Sequence, residues 1–266
     1  VNEMIDVEEI TVGYGSKIII EELSVAIPKG QITTIIGPNG CGKSTLLKTI
    51  SRILQASHGA VFIDQKAIHE TSTKEIAKKM AILPQTAEAP DGLTVHELVA
   101  YGRFPHQSSF GRLKKEDIEA IDWALEATNL TEFQERPIEA LSGGQRQRVW
   151  IAMALAQDTD ILILDEPTTY LDMAHQLDVL QLVERLNKEQ GKTIVMVLHD
   201  INHASRFSDF LIAMNNGEIV TEGIPERVVT CEHLQQIFQI QAILSVCPFS
   251  QKPICLSYGK LNTSVL

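Results

Sequence analysis

The chain has 266 residues and is 44% apolar, enough to bury a sizeable core. Its 34 acidic residues outnumber 23 basic ones for a net charge of -11, which argues against a general affinity for nucleic acid or anionic lipid and requires any phosphate site to be local. The longest apolar runs, Ile161 to Leu164 and Thr193 to Leu198, are far short of the ~20 residues of a membrane-spanning helix.

The opening Val1-Asn2-Glu3 shows no basic segment followed by an apolar stretch and a cleavage site, so no export signal is expected. Gln31-Ile-Thr-Thr-Ile-Ile36 reads as a buried strand ending in a Gly-rich turn, and Ser44 to Leu54 reads as a helix. Ser72-x-x-Glu75 is a capping box ahead of a short helix and a Met80 to Leu83 strand. From Thr86 to Asp158 the character turns helical. There Ile118, Ile121 and Leu125 form an apolar stripe, and Lys114, Lys115, Glu116, Asp117 and Glu119 read as a solvated face. Ile161 to Leu164 and Thr193 to Leu198 have the composition of parallel strands covered on both faces, and they are expected in one α/β sheet with Gln31 to Ile36. Between them Val179, Leu182, Val183 and Leu186 mark a crossover helix ended by Gly191. Phe210 to Met214, Asn215-Asn216-Gly217 and Glu218 to Thr221 read as a hairpin. Cys41, Cys231, Cys247 and Cys255 have neither the density of a disulfide scaffold nor the spacing of a zinc site, so reduced thiols are expected.

Gly37-Pro38-Asn39-Gly40-Cys41-Gly42-Lys43-Ser44 fits the eight-position P-loop pattern and lies between a predicted strand and a predicted helix. Glycines at 37, 40 and 42 let backbone amides converge on phosphate oxygens. The helix N-terminus adds partial positive charge, Lys43 can reach the β- and γ-phosphates, and Ser44 offers a hydroxyl to Mg²⁺. The Ile161 to Leu164 run delivers Asp165, suited to Mg²⁺, and Glu166, suited to polarising a water. Leu141-Ser142-Gly143-Gly144-Gln145 opens a helix-forming stretch, with Ser142 at the N-cap position and the glycines leaving amides exposed, so it reads as a second anion site.

These three motifs in this order resemble the ABC ATPase family over nearly all of residues 1 to 225. The resemblance implies an α/β P-loop NTPase sheet core, residues 1-85 and 159-225, with an inserted helical subdomain, 86-158. A C-terminal tail, 226-266, would pack on or follow the core. It implies ATP and Mg²⁺ as cofactors, Tyr14 stacking on adenine, and Thr45 completing the cradle. It further implies Gln85 sensing the γ-phosphate and joining Ser44 and Asp165 at Mg²⁺, Asp172 contacting the partner of a homodimer, and His199 as a switch histidine beside the catalytic Glu166 and Lys43. Tyr101-Gly-Arg-Phe-Pro-His106, Glu166-Pro-Thr-Thr-Tyr-Leu-Asp-Met-Ala-His-Gln176 and Lys252-Pro-Ile-Cys-Leu-Ser-Tyr-Gly259 resemble the ATPase subunits of bacterial importers of siderophores, haem and cobalamin. That subgroup implies a subunit at the cytoplasmic face of the membrane, bound to an integral permease fed by a substrate-binding protein. The rival class is an ABC ATPase acting on DNA, ribosomes or iron-sulphur assembly. Ser44 and Leu141 lie about a hundred residues apart with no heptad run, and the chain has one motif set, both against the rival.

Overall fold

The computed structural model describes residues 3–85, 89–107, 112–169 and 171–261. They belong to two compact units, one within 1–70 and 193–266, the other within 71–192.

The first unit opens with the antiparallel strands β1 (Glu3–Tyr14) and β2 (Lys17–Pro28). It continues through β3 (Ile32–Ile36), α1 (Lys43–Ile50), β4 (His58–Ile63) and β5 (Lys66–Ala67), with β2, β1, β4 and β5 side by side in that order. Ile5, Val7, Ile10 and Val12 are buried along β1. Simple alternation does not announce β1 and β2, because register shifts interrupt their pairing and Glu9 and Glu22 take φ of 48° and 50°. The helix expected from Ser44 to Leu54 is shorter. Arg52 adopts φ 61°, and the amides of Ile53 and Leu54 both return to the Lys48 carbonyl, which closes α1 at Ile50.

The second unit contains α2 (Thr73–Lys79), β6 (Met80–Leu83), α3 (Val95–Tyr101), α4 (Lys115–Ala127), α5 (Gly143–Ala156), β7 (Ile161–Asp165) and α6 (Met173–Gln190). The Ser72 and Glu75 capping box is formed, and β6 runs parallel to β7. Val179, Leu182, Val183 and Leu186 are the buried stripe of α6, which Gly191 ends at φ 65°. α5 packs against α3 and α4. A Cβ on Gly102 would stand 2.2 Å from the Met153 carbonyl oxygen, so glycine is what lets the end of α3 approach α5.

Two expectations for α4 are corrected. Ile118 is 47% exposed rather than part of the apolar stripe, and Asp117 is buried rather than solvated. The reason is Arg103, itself buried, whose Nε meets Asp117 Oδ1 at 2.8 Å while its Nη1 donates to the Ala156 carbonyl at 2.8 Å. The amide of Lys114 donates to the other carboxylate oxygen. An inward Asp117 turns its neighbour Ile118 away by the ~100° that separates successive residues on a helix. Burial pushes the Asp117 carboxyl up, but the Lys114 amide and the Arg103 guanidinium outweigh it and hold it below the ordinary carboxylate range.

The chain then returns to the first unit with β8 (Thr193–Val197), α7 (Ile201–Phe207), β9 (Phe210–Asn215), β10 (Glu218–Gly223), α8 (Pro225–Val228), α9 (Cys231–Phe238), β11 (Ile240–Val246) and β12 (Pro253–Lys260). β3 lies between β8 and β9 and is parallel to both, with all five of its residues buried. The β9–β10 hairpin turns through Asn216 at φ 49° and Gly217 at φ 84°. The C-terminal segment, undefined by sequence, holds α8, α9 and the β11–β12 hairpin, which is clamped to α7. The Asn202 amide donates to the Cys255 carbonyl and accepts from the Cys255 amide, and Ser205 donates to the Pro253 carbonyl. Cys41, Cys231, Cys247 and Cys255 are all free thiols. No described helix is long and apolar enough to cross a membrane.

Removing one partner of a buried ion pair leaves an uncompensated charge, so Arg103→Ala should lower the unfolding free energy by roughly 3 kcal/mol in urea titration. The pH dependence has a fixed sign. With a native pKa below the unfolded one, the Asp117 contribution is complete above the ordinary carboxylate pKa and is lost as pH falls through the lowered native value. The stability gap between wild type and Asp117→Asn should therefore narrow in that acid range.

Candidate functional site

In the first unit, the C-terminal ends of parallel strands place the candidate residues. Ile35 pairs with Val197, so the loop at Gly37 and the residue His199 emerge at the same end of neighbouring strands β3 and β8. Ligands of parallel α/β sheets bind at such strand ends. Gly37, Gly40 and Gly42 take φ of 154°, 78° and 108°. A Cβ on Gly37 would stand 2.2 Å from the Met214 carbonyl oxygen and 2.7 Å from Cys41 Sγ, whereas Gly40 has nothing within 4 Å. Gly42 N-caps α1 without any side-chain hydrogen bond, so the first turn presents backbone amides that no cap covers.

Lys43 is 5% exposed, and its Nζ donates to the carbonyls of Gly37 and Pro38, each at 2.9 Å. The loop thereby holds the ammonium over itself. Cys41 is buried in the same turn; burial raises its thiol pKa against the opposing pull of Lys43, which keeps it protonated near neutrality. Thr45 is buried, its carbonyl accepting from Thr49 Oγ1. Tyr14 is half exposed at the tip of the β1–β2 hairpin. That hairpin reaches the loop through Ile20 and Ile19, whose side-chain carbons would lie 3.4 and 3.6 Å from a Cβ on Gly42.

The second unit carries the acidic and signature residues. Leu83 of β6 pairs with Leu164 of β7, and Gln85 and Glu166 each lie two positions further on. The equal offset brings them together. Gln85 Nε2 donates to Glu166 Oε2 at 2.7 Å, and Thr169 Oγ1 donates to the same oxygen at 3.1 Å. Glu166 is held at φ 53°, a left-handed conformation uncommon for a residue with a side chain. Asp165, the last residue of β7, is buried beside it. Ser142 caps α5 by accepting from the Gln145 amide, while Gln145 Oε1 accepts from the Ser142 amide. Gly143 and Gly144 are the first two residues of α5. Gln147, on the next turn, donates to the Pro167 carbonyl just after Glu166. Asp172 N-caps α6, and hydrogen bonds from the backbone amide and ring of His175 hold its carboxyl below the ordinary range.

The sequence-derived candidates thus fall into two sets. Tyr14, Gly37 to Thr45 and His199 belong to the first unit; Gln85, Ser142 to Gln145, Asp165, Glu166 and Asp172 belong to the second. Tyr170 and Thr86, which also fall in segments read from sequence, lie outside the described residues. Thr169 and Gln147 were not legible as site residues. Their signal was spacing alone, Thr169 three positions after Glu166 and Gln147 one helical turn from Gly143.

A glycine-bent loop joining a parallel strand to an uncapped helix, with a second parallel strand that ends at Asp165 just before Glu166, defines a nucleotide-binding P-loop protein. The ABC transporter family matches residues 20–169, and the chain belongs to that family of ATP-hydrolysing subunits. It is 63% identical to the iron(3+)-hydroxamate import ATP-binding protein FhuC of Bacillus subtilis (strain 168), over 96% of this chain and 95% of that one. It is 47% identical to the ferric enterobactin transport ATP-binding protein FepC of Escherichia coli (strain K12), over 97% and 95%. Among solved structures, the fold is similar to a chain of a metal-chelate type ABC transporter in an inward-facing conformation, with TM-score 0.83, 28% identity and 100% of both chains covered. The ABC transporter cassette MJ0796, solved as a dimer, matches with TM-score 0.74 and 33% identity over 83% of this chain and 98% of that one.

The two loop glycines make a direct test. Gly40→Ala meets only the cost of a left-handed φ, about 1 kcal/mol. Gly37→Ala adds a backbone clash and should lose more than ~3 kcal/mol. Chemical denaturation of the two variants should rank them in that order.

Proposed function

We propose that this chain is the ATP-hydrolysing subunit of an importer of iron chelates, with a ferric siderophore as cargo. It would work as a homodimer on the cytoplasmic face of the membrane, beneath a separate integral permease that a substrate-binding protein feeds, with no nucleic-acid partner. The 63% identity to an iron(3+)-hydroxamate import subunit, over nearly the whole of both chains, supports the cargo class. The observation that carries the chemistry is the Gln85 to Glu166 hydrogen bond, which aims a strand-end carboxylate in a family whose task is phosphoanhydride cleavage.

In this mechanism the amides of Gly40, Cys41, Gly42, Lys43, Ser44 and Thr45, with Asn39 and Pro38 shaping the loop, bind the β- and γ-phosphates. The Lys43 ammonium exchanges its loop carbonyls for phosphate oxygens. Tyr14 stacks on the adenine. Glu166 orients the attacking water and accepts its proton, while His199 and Gln85 hold the γ-phosphate. Ser142, Gly143, Gly144 and Gln145 of one copy close over the triphosphate in the cradle of the other, and Asp172 lies against the partner. The γ-phosphate supplies the attraction that closes the pair, so its loss reopens it.

The donor chemistry suits Mg²⁺. In the second unit Gln85 commits its NH₂ group to Glu166, so its carbonyl oxygen would be the atom offered to a cation, and the proposed Ser44 and Asp165 would add a hydroxyl and a carboxylate. Mg²⁺ bound there would offset charge that develops on the phosphate oxygens.

Glu166→Gln should keep ATP binding while turnover falls roughly 10²- to 10⁴-fold. It should also hold an ATP-dependent dimer in size-exclusion chromatography. Turnover at the wild-type rate would remove Glu166 from the role of base. For the cargo, vesicles bearing the co-purified permease should take up a ferric hydroxamate only with ATP inside.

A further inference from the structure

His175, in the first turn of α6, touches two motif segments at once. Its backbone amide donates to Asp172 Oδ1 at 2.9 Å, and its ring Nδ1 lies 2.7 Å from the same oxygen. Those two bonds fix the ring. The opposite edge rests on Gly144: a Cβ built there would stand 2.9 Å from His175 Cδ2, 3.1 Å from Cγ and 3.4 Å from Nε2. Real Cβ atoms do not approach ring carbons that closely, so any side chain at position 144 must displace the imidazole.

Gly143 differs from its neighbour. A Cβ there would meet nothing within 4 Å. Neither glycine has a positive φ, so backbone conformation does not demand glycine at either place. The adjacent glycines are therefore bare for separate reasons: Gly143 faces open space, and Gly144 makes room for a histidine of its own chain.

We propose that His175 is a positioning residue that ties Asp172 to Gly144, so that the loop entering α6 and the start of α5 move as one piece within a protomer. A shift of Asp172 then turns the ring, and the ring bears on Gly144. The same contact works in reverse, since pressure on the start of α5 reaches the Asp172 carboxylate through one rigid imidazole. This rests on the reading that both segments face the partner copy across a bound triphosphate.

The test compares His175→Ala, His175→Asn, Gly143→Ala, Gly144→Ala and the doubles Gly144→Ala/His175→Ala and Gly143→Ala/His175→Ala. Steady-state ATPase kinetics, nucleotide titration and urea unfolding are measured for each. His175→Ala should lower kcat about tenfold and leave nucleotide affinity within about twofold, because the cradle lies in the other unit. His175→Asn, whose Nδ2 can replace Nδ1 as the donor to Asp172, should recover part of kcat. Gly144→Ala combined with His175→Ala should be no slower than Gly144→Ala alone, since the side chain being displaced is gone. The Gly143 and His175 losses should multiply. Independent, multiplicative losses at 144 and 175, or an unchanged kcat in His175→Ala, would overturn the proposal. Coupling seen in unfolding but absent from kcat would also overturn it, reducing the contact to packing. Failure of the dimer reading shows separately, as a Glu166→Gln protein that never dimerises with ATP.

Discussion

A polyanion has to be held by a chain whose own net charge is -11. Long-range attraction cannot supply that, so the binding charge must be local, oriented and close. The structure meets the constraint with backbone rather than with many cations. α1 begins at a glycine with no side-chain cap, the preceding loop is bent by three glycines, and one buried ammonium is folded into it. In the proposed mechanism oriented amides would lose little by reorganising when phosphate arrives, and Lys43 would have only to exchange two carbonyl partners for phosphate oxygens.

Parallel strand pairing places the candidate groups. In the first unit, β3 and β8 bring the loop and His199 to one edge; in the second, β6 and β7 bring Gln85 and Glu166 into contact at equal offsets from a paired Leu83 and Leu164. A slip of one residue in the second register would separate the amide from the carboxylate. Helix packing then ties α5 to its surroundings. Its beginning meets His175, its second turn meets Pro167, and its end is held by Arg103.

Sequence carried much of this because the relevant signals are local. Fully buried parallel strands read as unbroken apolar runs, and capping boxes at Ser72 and Ser142 lie within four residues. What sequence could not show depended on distant pairing. β1 and β2 are hidden by bulges, and Asp117 is internal only because Arg103, fourteen positions earlier, comes inside with it. Ile118 has the spacing of a core residue and faces out for the same reason. Candidate residues at Gly37 to Ser44, Asp165 and Ser142 announced themselves by pattern, whereas the three-residue spacings that bring Thr169 to Glu166 and His175 to Asp172 are too common in sequence to mark a site.

The central claim is that each ATP is cleaved by groups from two copies of the chain. It is tested by mixing two inactive proteins, Lys43→Ala and Ser142→Arg, and measuring ATP hydrolysis. In a head-to-tail pair of one of each, both defects fall in one composite site and leave the other intact. The account predicts that the mixture regains activity that neither variant has alone, approaching half the wild-type rate within the mixed dimers. A mixture as inactive as its components, with mixed dimers shown to form, would contradict it.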